Sequence, residues 1–80
     1  MDSKELLRLI LTALDAEKKR LSKLTGEYYE KHEQYLFSDV EGDEDTADDF
    51  FDSMLATYRI LEGVAEAEKI ICKIAKENGL

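Results

Sequence analysis

Proline and tryptophan are absent from this sequence, and cysteine and histidine occur once each, as Cys72 and His32. Each shortage closes off a class of protein. Without proline, no residue is bound to break a helix. One cysteine cannot form an intramolecular disulfide, and a lone thiol suits a reducing, cytoplasmic setting. Cys72 and His32 cannot supply a four-residue Cys/His metal cage, nor do they assemble into a Ser/His/Asp or Cys/His catalytic set. Glycine is scarce, at four residues, and no Gly-rich loop is present to cradle a phosphate. No apolar run approaches the roughly 20 residues that span a membrane. The early apolar cluster Leu6–Leu14 contains Arg8 and Thr12 and follows acidic Asp2 and Glu5, unlike a secretory signal. Nothing in the sequence asks for a cofactor.

One further shortage is local. From Asp39 to Asp52 there is no Lys, Arg or His, only the acids Asp39, Glu41, Asp43, Glu44, Asp45, Asp48, Asp49 and Asp52. The other 11 acids balance the 11 Lys and Arg, so this stretch carries the whole formal charge of −8. Such a segment repels nucleic acid and anionic membrane and attracts basic surfaces. The acid run is not a calcium-binding EF-hand loop. Counted from Asp39, Glu44 falls where the sharp turn needs glycine.

What is present is helical periodicity. Asp2 and Glu5 read as a capping box. Leu7, Leu14, Leu21, Tyr28 and Tyr35 then recur every seven residues, with Ile10 and Leu24 at intermediate positions. This predicts a first helix over about Ser3–Phe37, running unbroken through Gly26. An acidic turn follows over Ser38–Asp45, and Thr46 is expected to cap a second helix that ends near residue 77. The second stripe is Phe50, Met54, Thr57, Leu61, Val64, Glu68, Ile71 and Ala75. The fold class is therefore all-α, an antiparallel two-helix hairpin forming a single small domain.

A turn centred between Gly42 and Asp43 would oppose residues whose numbers add to about 85, which lays one stripe on the other. It would also pair Arg8 with Glu77, Asp15 with Lys69, Lys19 with Glu66, Lys23 with Glu62 and Glu27 with Arg59. Glu17 would face Glu68, both turning outward toward Lys18, Arg20 and Lys69. His32 is expected on an exposed flank, and Cys72 as a small buried apolar residue.

One seam cannot cover every apolar residue. Leu6, Leu9, Ile10 and Leu11 on the first helix and Ile60, Ala67, Ile70 and Ile74 on the second are the candidate interface residues. They gather at the open end of the hairpin, where the expected occupant is a second copy forming a four-helix bundle. The alternative occupant is a helix from another protein. All seven aromatics lie nearer the acidic turn, and aromatics beside carboxylates suit Arg- and Lys-rich surfaces.

Glu27-Tyr28-Tyr29-Glu30 and Asp49-Phe50-Phe51-Asp52 each set two acids three apart on one helical face. Over those eight residues the chain resembles the paired acidic motifs of all-α MazG-type nucleotide pyrophosphohydrolases. That resemblance implies carboxylates holding Mg²⁺ beside a nucleotide phosphate. The charge map points elsewhere. It favours a non-enzymatic adaptor, regulator or inhibitor that grips a basic protein with the acidic, aromatic tip. A nucleic-acid mimic, like the small acidic inhibitors of phages and mobile elements, is the alternative on charge alone.

Overall fold

The structure, a computed structural model, describes residues Met1–Leu80. It contains two α-helices folded back on each other, α1 (Ser3–Leu36) and α2 (Asp43–Glu77), with no strand. The all-α hairpin read from the heptads is the fold. The Asp2 carboxylate accepts from the Glu5 backbone N–H at 2.8 Å, so one of the orphan donors of the first turn is satisfied. α1 then runs unbroken through Gly26.

The turn differs from the sequence reading. Phe37 closes α1, and α2 begins three residues earlier than Thr46. Its N-cap is Gly42, held at φ 92° in the left-handed region that a residue with a Cβ rarely adopts. No side chain caps this end. Instead Asp43, Glu44 and Asp45 occupy the first turn, where carboxylates meet the positive end of the helix dipole. Acids that read as loop residues are thus helix-starting residues.

Shortening the turn shifts the register. The hydroxyls of Thr25 and Thr57 lie 3.0 Å apart, so facing residues have numbers adding to about 82 rather than 85. Phe50 lies between Tyr35 (centroids 5.5 Å, stacked), its partner in the register expected from the sequence, and Tyr28 (6.3 Å, tilted). The second stripe is the inner face of α2: each of its eight residues is buried or half-buried. On α1 the residues Leu7, Leu14, Leu21, Tyr28 and Tyr35 also face inward. The intermediate positions follow the reading only in part, with Leu24 half-buried. Leu11, Lys18, Thr25 and His32 turn to the seam, whereas Ile10 is 40% exposed.

None of the five expected cross-helix ion pairs forms. Lys19 binds Asp15 on its own helix at 3.1 Å, Arg20 holds Glu17, and only Lys18 crosses, to Glu68. Glu17 and Glu68 take separate partners, Arg20 on its own helix and Lys18 across the seam.

The result is a rod of 59 × 18 × 13 Å. Its radius of gyration is 18.0 Å, against about 12 Å for a compact domain of this length. Only Leu21, Ala47 and Ala75 are buried. The accessible area is 6139 Å², about 1,200 Å² more than the roughly 4,900 Å² expected of a compact protein of this mass. No helix is long and apolar enough to cross a membrane.

Candidate functional site

The closed end of the rod gathers the acids. Asp43 is half-buried, and Asp39, Glu41, Glu44, Asp45, Asp48, Asp49 and Asp52 are exposed. None of the eight takes part in an ion pair. Between them the turn pushes apolar side chains outward: Phe37 is 79% exposed and Val40 64%. Ser38, Asp39, Val40, Glu41 and Glu44 line a shallow concavity around Gly42. The tip thus offers exposed apolar side chains among unneutralised carboxylates. Sequence reasoning identified the acids but not Val40, whose isolation between two acids was the available signal.

Just behind the tip, packing consumes part of the aromatic cluster. Tyr35 stacks on Phe50 across the seam, Tyr28 meets the same ring at a tilt, and Lys31 Nζ lies 5.9 Å over it. His32 is half-buried rather than on an exposed flank. Its Nδ1 lies 3.0 Å from the Ala47 carbonyl, so that nitrogen carries the proton and donates. Its ring meets Phe51 at 5.2 Å. Tyr29 and Tyr58 are both 48% exposed and face solvent. Glu33, one turn along, holds the Tyr29 phenol above its usual range by a hydrogen bond and by its charge.

Lys18, Thr25 and His32 form a polar ladder spaced by seven residues, and each rung crosses to α2. Lys18 Nζ lies 3.2 Å from Glu68, whose Oε2 is closed off from solvent. Thr25 and Thr57 share one hydroxyl contact. Each has a single hydrogen, so one donates across the seam while the other donates back to its own helix, to Leu21 or to Ser53 and Met54. These rungs fix register and alignment more than they add stability.

The heptad phase divides the remaining surface into two flanks. Lys18–Glu68 and His32–Phe51 mark one of them. Lys31 above Phe50 marks the other, which also carries Leu6, Ile10, Leu24, Ile60, Ala67, Ile70 and Ile74. Of the candidate interface residues, Leu6, Ile10, Ile60, Ala67, Ile70 and Ile74 share this flank. Leu9 sits on the back of α1, and Leu11 turns into the seam, half-buried. Cys72 is exposed, because its heptad position falls on the opposite flank, not the seam.

The four carboxylates of the MazG-type motif, Glu27, Glu30, Asp49 and Asp52, are exposed on the outer faces of the two helices. They do not converge, and no group of three or more potential metal ligands is brought together anywhere in the chain. No family model, curated protein or solved structure matches this chain.

Proposed function

We propose that this chain is a non-enzymatic interaction protein that captures a basic protein surface with its acidic tip. The observation that carries the reading is the pairing of unneutralised, exposed carboxylates with projecting Phe37 and Val40. Carboxylates steer a cationic partner and accept charge-assisted hydrogen bonds. An exposed phenylalanine supplies the apolar anchor that charge alone lacks, and its ring also receives Arg or Lys. The acids sit at one end of a 59 Å rod rather than in rows along it, which suits docking end-on. Held in a cytoplasmic, reducing compartment, Cys72 would stay a free thiol.

Capture from an extract of the native host, run beside an Asp45→Asn/Asp48→Asn/Asp49→Asn variant and a Phe37→Ser variant, tests the proposal. The expected partner is basic, is lost with either variant, and is released by salt. Retention of the partner at unchanged affinity by the triple variant, with its helicity intact, would sink it.

A further inference from the structure

α2 carries a second seam. Ala56, Ile60, Gly63, Ala67, Ile70 and Ile74 follow one another at alternating steps of four and three, the spacing of a coiled-coil stripe. No charged residue interrupts it. The stripe is separate from the one that packs on α1, and all of its residues but the half-buried Ala67 face solvent, with Ile60 at 54%, Ile70 at 51% and Ile74 at 54%. Leu6 and Ile10 of α1 extend the same flank at the open end.

We propose that this seam is occupied by a second copy of the chain, packed antiparallel, α2 over α2, about a two-fold axis that crosses the flank at the level of residue 65. Three observations select that occupant and that direction. First, the stripe is self-complementary when reversed. An axis at residue 65 sets Ile60 against Ile70 of the second copy, Gly63 against Ala67, and Ala56 against Ile74. The smallest residues meet at the axis, where two backbones approach most closely, and the isoleucines close over them on either side.

Second, the area matches. Each rod exposes about 1,200 Å² beyond a compact chain of its mass, and a standard stable interface covers about 600–1,000 Å² of each partner, which that excess can supply. Third, the charge fixes the direction. A parallel pair would place two tips of net charge −8 at one end. The antiparallel pair sends them to opposite ends. Gly42 lies about 35 Å along α2 from the axis at 1.5 Å per residue, so the tips stand about 70 Å apart. That is many times the roughly 8 Å screening length in physiological salt. On α1 the same axis passes beside Glu17 and Arg20. These already pair within one chain and would meet the same pair, reversed, in the other.

The consequence is a two-headed rod with an acidic tip at each end. Two such tips engage a partner array with an avidity that neither tip has alone, when the spacing of its sites matches the rod. The dimer stands independently of what the tip binds, so its test involves no partner.

The wild-type protein at tens of micromolar should scatter light as a dimer. Ala67→Glu should be monomeric with unchanged helicity. In a Cys72→Ser background, copies carrying Ile60→Cys mixed with copies carrying Ile70→Cys should oxidise to a mixed disulfide. Ile60→Cys alone should not link, because its two sulfurs lie about 15 Å apart along the axis, beyond disulfide reach. A monomeric wild type, or links between identical positions in preference to the mixed one, would overturn the proposal. If Ala67→Glu loses helicity, the disulfide pattern alone decides.

Discussion

Two glycines lie in helix interiors, and their replacement by alanine separates the fold from its assembly. Gly26 and Gly63 both sit within unbroken helix, and a Cβ added at either would meet nothing within 4 Å. Alanine is favoured over glycine in a helix interior by about 0.8–1.0 kcal/mol. In the lone hairpin, each substitution should therefore stabilise by about 1 kcal/mol. That is a large share of the roughly 4–12 kcal/mol expected for a chain of this length. It should raise the thermal midpoint by about 4–8 °C.

Gly26 points away from both the seam and the apolar flank, so its gain should hold at every protein concentration. Gly63 lies in the second stripe, where the antiparallel dimer brings Ala67 of another copy against it. A methyl group there has to be accommodated by that neighbour, so Gly63→Ala should gain less than Gly26→Ala when concentrated. It should match Gly26→Ala when diluted to monomer. Thermal melts followed by far-ultraviolet circular dichroism, over a hundredfold range of concentration, make the comparison. A lower midpoint for Gly26→Ala would refute the continuous α1. Equal gains for the two variants at every concentration would refute a close approach at Gly63.

Two shorter predictions follow from the side-chain contacts. Thr57→Val should cost about 1 kcal/mol by leaving the Thr25 hydroxyl without its partner across the seam, and adding Thr25→Val should recover most of that loss. A double-mutant cycle in urea reads the coupling, and strict additivity would count against the contact. The Glu17 carboxyl is held below the usual carboxylate range, first by its hydrogen bond from Arg20 and then by that charge. A lowered folded-state pKa means the pair supports the fold above the ordinary glutamate pKa and stops doing so as pH falls through the lowered value. Titration of Glu17 by NMR should show the depressed value, and Arg20→Gln should return it to the ordinary range.

The sequence was most readable where chemistry and geometry agree. Six of the eight stripe residues from Phe50 to Ala75 are apolar, so its phase is plain, and it is the inner face of α2. On α1 the nine inner positions include three polar residues, all in the intermediate row. Lys18, Thr25 and His32 occupy inward positions but look like surface residues, so the apolar pattern points to Ile10 and Leu24 instead. Those polar residues are tolerated because the seam is narrow. Each reaches a partner on α2, and the Lys18 side chain keeps 31% of its surface in water.

The turn was misread for an electrostatic reason. Asp43 and Asp45 have modest helix propensity and, beside Gly42, the acid run resembles a loop, yet the dipole at a helix start favours it. Moving the start of α2 from Thr46 to Asp43 shifts the whole pairing, and this is why every proposed flank ion pair failed together. For the acidic tip, the charge was visible in the sequence. The outward placement of Phe37 and Val40 depended on where the turn closed.

The near absence of a core also bears on how such a protein changes over time. With only Leu21, Ala47 and Ala75 enclosed, most inner positions require a kind of side chain rather than a particular one. Isoleucine can replace leucine, and valine can replace methionine, without a jigsaw to disturb. Descendants of a common ancestor could then diverge until little identity remained. What they would still share is the seven-residue rhythm, a left-handed glycine at the turn and an excess of acid beside it.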